Sequence, residues 1–358
     1  MSVKRCGECG GPVYTRIFRR WNSDGTVTGR LSSGVRICHI EAGEVCAMVE
    51  GISARIGYHI DRIVVEGERK ASRNITNETL SPGHGLVGLV GRSWGGSPVS
   101  LKIILAISRS VGFGSPEVLK YIRGRELKLR VENPFCVPIV VGDLWGAFEA
   151  LHRITADVSW EETPGAVKID LVKVRDEMVE EHPDRLALQK MATLPGDVGF
   201  DRCPRCGIPR EVTGSIEWDL DAGVVKNRKT GRREVTVMVE AVNAVISELT
   251  AELGDEIPGM VQQVEQEYIA DMMKDSRLPN TISEYEALLE ELRVMGMGNP
   301  VEVEKEGERL EVRVNNPFCE PLLAGRVGGY YEALEGVTPT MTWTPDEEGY
   351  TIIKANPS

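Results

Sequence analysis

The chain has no long apolar stretch, and this absence sets the first limit on its class. Nowhere in its 358 residues do we find the roughly 18 consecutive apolar residues that a membrane-spanning helix needs. Its first residues, MSVKRCGECGG, also lack the apolar core of a signal peptide. We therefore expect a cytoplasmic protein without membrane insertion.

Positive charge and glutamine are both scarce. Lys and Arg total 42 against 54 Asp and Glu, which leaves a net charge of −12. A protein that binds nucleic acid over a broad surface needs an excess of positive charge, so we predict no nucleic-acid partner. The chain has four glutamines and abundant glutamate, a composition that points to a thermophilic source.

Common catalytic patterns are likewise missing. The five histidines are scattered, and no HExxH, Ser-His-Asp or paired-carboxylate spacing is present. Residues 83–88 spell GHGLVG, which matches GxGxxG, but Ser81-Pro82 precedes them where a dinucleotide site requires a strand. We interpret the glycine-rich stretch, residues 83–96, as a loop and as the candidate docking site for a protein partner.

What the chain does contain is a pattern that occurs twice. A Cys-x-x-Cys motif at residues 6–9 recurs at 203–206, at an offset of 197. The sequence Asn-Pro-Phe-Cys at residues 133–136 recurs at 316–319, at an offset of 183, so the first copy carries about 14 extra residues in its middle. We predict two copies related by a pseudo-twofold axis, residues 1–175 and 200–358, with a polar connector at 176–199.

Periodicity in the second copy predicts the elements of both. Residues 216–221 and 233–239 alternate like strands of a ribbon beside the Cys-x-x-Cys motif. Apolar residues at helical spacing from Val242 to Leu253 and beyond Pro258 predict amphipathic helices, and Ser283-x-x-Glu286 predicts the capping box of another. The predicted fold class is α+β, in which each copy has a CxxC β-ribbon, amphipathic helices and an antiparallel β-β-α-β-β unit.

The Asn-Pro-Phe-Cys sequence predicts the start of a helix, because Asn is a favoured N-cap and Pro is favoured at the first helical position. The residues that follow are apolar on nearly all sides of the helix, which is typical of a buried helix. Gly142 and Gly146 lie four residues apart, as do Gly325 and Gly329 in the second copy. Such glycines serve either tight packing against another backbone or the close approach of a ligand.

A helix of the form N-P-F-x-x-P-x-x-x-G-x-x-x-G, followed by a strand that contains Ser/Thr-Trp, resembles the vinyl-reductase-type, or hydrocarbon-binding, domain. The resemblance covers about 50–60 residues in each copy. It implies a small α+β module that holds an apolar small molecule between its helix and its sheet. The family commonly has further cysteines in its last two strands, and this chain has none there, so no role is carried over to those positions.

We accordingly predict an apolar cavity beside each of these helices. Each copy would supply a thiol from the first helical turn, the helix glycines, an aromatic residue near the second glycine and a tryptophan on the next strand. The helix dipole lowers the pKa of a thiol in the first turn, and the alternative is that both cysteines are buried structural residues. The candidate ligand-binding residues are Cys136, Gly142, Trp145, Gly146, Phe148 and Trp160 in the first copy and Cys319, Gly325, Gly329, Tyr330, Tyr331 and Trp343 in the second. The alternative is that the same side chains fill the core and leave no void.

Each Cys-x-x-Cys motif supplies two of the four ligands that a tetrahedral zinc site requires. Pooling the two motifs completes one structural site between the copies. The predicted zinc ligands are Cys6, Cys9, Cys203 and Cys206. A site confined to the first copy, completed by Cys38, His39 or Cys46, and a redox-active cysteine pair are the alternatives.

These patterns together predict a non-enzymatic protein that binds an apolar small molecule as a sensor, carrier or accessory factor. Zinc is its predicted cofactor. The alternatives are an enzyme or enzyme-complex subunit with thiol or redox chemistry, and a structural assembly partner.

Overall fold

The computed structural model describes residues 4–30, 34–80, 98–179, 184–275 and 278–357. We call residues 4–175 the first half and residues 200–357 the second half. Elements of the first half are, in order, α1 (Val13–Phe18), β1 (Arg19–Trp21), β2 (Val27–Gly29), β3 (Arg36–Glu41), α2 (Ala42–Ile56), α3 (Asp61–Thr79), α4 (Pro98–Val111), β4 (Ser115–Ile122), β5 (Glu126–Glu132), α5 (Val137–His152), β6 (Thr155–Thr163) and β7 (Ala166–Arg175).

The second half has the same order of elements. They are α6 (Arg210–Ser215), β8 (Ile216–Asp219), β9 (Val224–Asn227), β10 (Arg233–Met238), α7 (Val239–Leu253), α8 (Ile257–Met273), α9 (Ile282–Met295), β11 (Asn299–Glu306), β12 (Arg309–Asn315), α10 (Glu320–Glu335), β13 (Pro339–Pro345) and β14 (Thr351–Pro357). Helices and antiparallel sheets are both present, so the predicted α+β class is confirmed. Two superposable copies related by a twofold axis stay a prediction.

Each half ends in its own four-stranded antiparallel sheet. The strand order is β4-β5-β7-β6 in the first half and β11-β12-β14-β13 in the second. The helix between the two hairpins, α5 or α10, packs on one face of its sheet. Its burial on all sides explains why it is apolar nearly throughout.

A third sheet joins the halves. Its order is β1-β2-β3-β10-β9-β8, and β3 pairs antiparallel with β10, with Cys38 opposite Val237 and Ile40 opposite Val235. The helices that follow these strands also cross between halves, since α2 packs on α8 and α3 packs on α7. The two halves therefore share one hydrophobic core instead of forming separate ones.

The helices after Asn-Pro-Phe-Cys begin later than the sequence predicts. Their N-caps are Cys136 and Cys319, and Pro138 and Pro321 occupy the first turn. Asn133 and Asn316 are not caps but have positive φ of 54° and 53°, a conformation that Asn tolerates better than most residues.

These asparagine turns bind the opposite half. Arg36 of β3 donates to the carbonyl oxygens of Asn316 and Pro317 at 2.6 and 3.2 Å. At the matched place in the second half, Arg233 of β10 donates to the carbonyl of Asn133 at 2.6 Å. Each of the two Asn-Pro-Phe-Cys sequences thus provides carbonyl oxygens that an arginine of the opposite half binds.

Candidate metal centre and ligand cavity

The four motif cysteines lie on two turns of the same construction. The amide of Cys6 donates to the carbonyl of Gly11, and Gly10 donates back to Cys6. The amide of Cys203 donates to Ile208, and Gly207 donates back to Cys203 in the same way. Gly10 and Gly207 have positive φ of 72° and 75°. This conformation, which glycine adopts easily, lets the backbone reverse direction directly after the second cysteine of each motif.

Contacts between the halves hold these two turns face to face. Arg5 donates to the carbonyl of Trp218 at 2.5 Å, and Arg202 donates to the carbonyl of Trp21 at 2.9 Å. An ion pair between Arg210 and Glu8, with N and O atoms 3.0 Å apart, adds a third link.

The resulting group of sulfur atoms matches the size of a tetrahedral metal site. All four Sγ atoms lie within 4.8 Å of one another. Two pairs across the halves are 4.0 Å apart (Cys6 to Cys203) and 3.4 Å apart (Cys9 to Cys206). A tetrahedron with metal–sulfur bonds of about 2.3 Å has edges of about 3.8 Å, which lies between these distances.

One thiol of this group is already poised to bind a cation. Backbone N–H groups of Cys9 and Glu8 lower the pKa of the Cys6 thiol to about 6, and the thiolate is the form that binds metals. Burial raises the pKa of Cys9 and raises that of Cys206 to about 12, so these two thiols would lose their protons only when a metal ion binds. Together the four cysteines could therefore hold a metal ion. They are the one such cluster found among the described residues.

The alternative site in the first copy is not assembled. Cys38 is a buried residue of β3 in the shared sheet. The His39 ring lies 3.3 Å from the Thr236 hydroxyl and 3.2 Å from the guanidinium of Arg19. The Cys46 thiol donates to the carbonyl of Phe135 at 2.9 Å. These three residues have different neighbours and do not converge on one point.

A cavity of about 460 Å³ lies in the first half, between helices α3, α4 and α5 and the sheet shared by the halves. Its wall is mostly apolar, with four side chains from α4 forming one side: Val99, Ile103, Ile104 and Ile107. Ala147 and Leu151 of α5 form the opposite side. Its volume is in the range of about 300–1,000 Å³ that small-molecule pockets span.

None of the twelve predicted ligand-binding residues lies on this wall. Trp145, Phe148 and Tyr331 are buried in the core. Trp160 and Trp343 lie on β6 and β13, partly buried against the core. The cavity does lie beside one of the two predicted helices, but on a different face of it.

The helix glycines pack against another helix of their own half. A Cβ atom on Gly142 would lie 2.4 Å from the carbonyl oxygen of Val65, and one on Gly146 would lie 2.2 Å from that of Arg69. At the matched positions Gly325 would approach the carbonyl of Gln262 to 2.4 Å, and Gly329 would meet the side chain of Ile269 at 2.5 Å. All four glycines therefore serve close packing within these helix pairs.

The thiols of Cys136 and Cys319 are buried and do not have the lowered pKa that a helix dipole would give them. Burial raises the pKa of the Cys319 thiol to about 12. The pKa of Cys136 is raised well above its usual value, first by its interaction with the thiol of Cys46 and then by burial. Neither thiol is activated as a nucleophile.

Glu149 and Glu332 take part in contacts between helices. Glu149 is fully buried and accepts two hydrogen bonds of 2.9 Å from the guanidinium of Arg69. At the matched positions Gln266 donates to Glu332 at 2.9 Å. Each pair ties the glycine-bearing helix to its neighbour.

The cavity wall carries two acidic side chains that sequence reasoning missed. Glu68 of α3 is 5% exposed, and its Oε1 has no hydrogen-bond partner. Burial, and then the nearby Asp143, raise its pKa well above the usual value. Burial also raises the pKa of Asp143, on α5, to about 6.

Several further polar residues line the same cavity, among them Ser108 and Arg19. The hydroxyl of Ser108 on α4 is buried and has no hydrogen-bond partner. Arg19 is buried as well, and its guanidinium lies beside His39. Burial lowers the pKa of Arg19 to about 10.

The corresponding region of the second half is filled. At the offset of 183, Asp143 matches Arg326 and Ala147 matches Tyr330; at the offset of 197, Glu68 matches Glu265. Arg326 is ion-paired with Glu44, lies 3.6 Å from Glu265 and donates to the Tyr330 hydroxyl at 3.2 Å. A comparison of the two halves at these positions was the sequence signal that could have located the cavity.

The glycine-rich stretch 83–96, the predicted docking loop, lies outside the described residues. Among the helices that are described, none is both long enough and apolar enough to cross a membrane. A scan against protein-family models found no match, and a search of curated proteins found none either.

Proposed function

We propose that this protein binds an apolar small molecule in the cavity of its first half, without catalysing a reaction on it. The observation that carries the proposal is the cavity itself, about 460 Å³ in volume and bounded mainly by apolar side chains. The cavity is partly open, since Val99 and Ile103 on its wall are 47% and 40% exposed. A concave apolar surface of this size that remains accessible is typical of a ligand-binding site.

The difference between the halves supports this proposal. Where the second half has the large side chains of Arg326 and Tyr330, the first half has Asp143 and Ala147. The first half thus has a space where the second has a packed core. In a sensor, carrier or accessory factor, the first half would bind the ligand and the packed second half would support it.

The proposal agrees with what the resemblance to the hydrocarbon-binding domain implies, although the binding face differs. The raised pKa values of Cys136 and Cys319 favour ligand binding over thiol catalysis.

We further propose that the ion at the cysteine cluster is zinc and that its role is structural. Four thiolates satisfy a tetrahedral zinc ion and leave no coordination position for water or substrate. Zinc would cross-link residues that are 197 positions apart and hold the two halves together.

A cavity-filling variant tests the ligand site. Ala147→Phe places a ring where Tyr330 lies in the second half, so decanol, titrated in a calorimeter, should bind at least about tenfold more weakly. The melting temperature should stay unchanged or rise, because the new ring fills a void.

Val174→Phe is the matched control, since Val174 is 60% exposed on β7 and does not line the cavity. It should leave decanol binding as in the wild type. Undiminished binding by the Ala147→Phe protein would contradict the proposed site.

A further inference from the structure

The two acidic side chains of the cavity have no cationic partner in the described structure. Glu68 and Asp143 form no ion pair there, and Oε1 of Glu68 accepts no hydrogen bond. Glu68 also borders a second, apolar cavity of about 50 Å³, so no partner reaches it from that side. A buried carboxylate without compensation is costly, so Glu68, whose pKa is raised well above its usual value, keeps its proton unless a cation lies beside it.

The neighbouring cations are engaged elsewhere. Arg69, next to Glu68 in the chain, binds Glu149 with two hydrogen bonds and also pairs with Glu66 at 2.9 Å. Arg73 lies 3.5 Å from Glu149. Arg19 is on the cavity wall, but its guanidinium lies beside His39 and makes no ion pair with either carboxylate.

The second half has a cation at this place in the fold. The guanidinium of Arg326 lies 3.6 Å from Glu265, which matches Glu68, and is ion-paired with Glu44. Burial and the nearby Glu44 still hold the pKa of Glu265 well above its usual value. The hydroxyl of Tyr330 completes the surroundings of the guanidinium. In the first half the cation and the aromatic ring are both replaced, by Asp143 and Ala147, and the cavity occupies their space.

We propose that the ligand of this cavity is an apolar amine. Its protonated nitrogen lies between Glu68 and Asp143, and its apolar body fills the space beside Ala147. The ligand thus supplies to the first half the cation and the apolar volume that Arg326 and Tyr330 supply to the second. The hydroxyl of Ser108, which has no partner of its own, is available on the same wall as an acceptor for a further N–H group.

This inference rests on the proposed ligand-binding function and narrows it to one chemical class. Its test compares three probes with the same ten-carbon chain: decylamine, decanol and decanoic acid. Each is titrated near neutral pH into the full-length protein, where the pKa of about 6 leaves Asp143 ionised. The amine should bind at least about tenfold more tightly than the alcohol, a difference of ~1.4 kcal/mol.

Two charge-neutral variants locate the amine. Glu68→Gln and Asp143→Asn each keep the side-chain shape, so both should fold and should bind decylamine at least about fivefold more weakly, while decanol binding changes by less than about twofold. Glu50→Gln is the control, because Glu50 is an exposed carboxylate on the adjacent helix α2 and lies outside the cavity. It should bind all three probes as the wild type does.

The possible outcomes separate the two proposals. The amine proposal is wrong if decanol or decanoic acid binds as tightly as decylamine. It is also wrong if the two variants weaken the binding of decanol as much as the binding of decylamine. In both cases the proposed ligand-binding function stands. Preferential binding of decanoic acid that is lost in Arg19→Gln would assign the polar end of the cavity to an anion instead. If none of the probes binds, both proposals fail.

Discussion

Ionisation of Asp143 and Glu68 should make the stability of the ligand-free protein depend on pH. Burial raises the pKa of both carboxyl groups, that of Asp143 to about 6. The folded protein therefore retains a proton that the unfolded chain releases near pH ~4, the usual range for Asp. Because the folded state binds more protons within that window, its free energy of unfolding falls as pH rises toward 6 and then levels off for Asp143.

We expect Asp143→Asn to flatten this fall by on the order of 2–3 kcal/mol. Urea unfolding between about pH 4 and pH 8 measures the effect as the difference between the variant and the wild type. Glu234, whose pKa burial raises to about 7, contributes in the same direction to both proteins and cancels in that difference. Identical slopes in the two proteins would show that Asp143 titrates as an ordinary aspartate.

Asn133 and Asn316 illustrate how a residue preference can serve a different purpose from the one predicted. Asn is favoured both as a helix cap and in the left-handed conformation. Here the second use applies, and the side chain of Asn316 binds the backbone of Leu194 in the connector. This choice depends on a partner more than 100 residues away, which the local sequence does not contain.

At the scale of elements, the main contacts are two helix pairs, α3 with α5 and α8 with α10. Glycines on α5 and α10 allow the two helices of each pair to approach closely. At these glycines the backbone of one helix contacts the backbone or the first side-chain atoms of the other. This close approach fixes which face of α5 remains for the cavity, namely the face with Asp143, Ala147 and Leu151.

Gly146→Leu should therefore lower the melting temperature. The new Cβ would lie 2.2 Å from the carbonyl oxygen of Arg69, so α3 and α5 must separate. Overpacking of this kind typically costs about 1–3 kcal/mol, and a backbone obstacle places the cost at the upper end of that range. Thermal unfolding followed by circular dichroism measures it.

Gly259→Ala is the matched control, because Gly259 also lies within a helix, α8, and a Cβ there would meet nothing within 4 Å. It should stabilise the protein by up to ~1 kcal/mol. If Gly146→Leu left the melting temperature unchanged but abolished decylamine binding, the glycines would face a ligand, against the packing described above.

At the scale of the whole molecule, the two halves are joined by a common sheet, reciprocal arginine contacts and the cysteine cluster. Strands β3 and β10 are hydrogen-bonded across the middle of that sheet, and Arg36 and Arg233 each bind the other half. Such an assembly should unfold as one cooperative unit.

Removing one cysteine should release the metal and weaken both halves together. We expect one zinc ion per chain in the wild type and loss of that ion in Cys203→Ser, because three remaining thiolates bind zinc less tightly than four. Metal analysis after dialysis gives the stoichiometry, and a single unfolding transition at lower temperature reports the joint loss of stability.

Cys46→Ser is the control for this experiment. Cys46 lies outside the cluster, and a serine there retains a donor for the carbonyl of Phe135. Metal content should stay at one ion per chain. Full zinc stoichiometry in Cys203→Ser together with loss in Cys46→Ser would move the metal to the first copy alone.

The sequence by itself determined the α+β class, most helix and strand positions in the second half, and the meeting of the four cysteines. Helix and strand periods are local properties of the chain, so the predicted helix near Val242–Leu253 agrees with α7 (Val239–Leu253). The cysteine cluster could be predicted because each motif supplies only half of a tetrahedral site, which makes a partner motif necessary.

The tertiary structure alone decided that the halves share a sheet, that the glycines meet helices, and that a cavity lies beside Ala147 of the first half. Each of these depends on which surfaces come together across long separations in the chain. The helical period shows that a face is buried but does not show which element covers it. The face of α5 toward α3 and the face toward the cavity are both apolar enough to be buried. Only the position of the neighbouring helices determines which of them is packed and which encloses a space for a ligand.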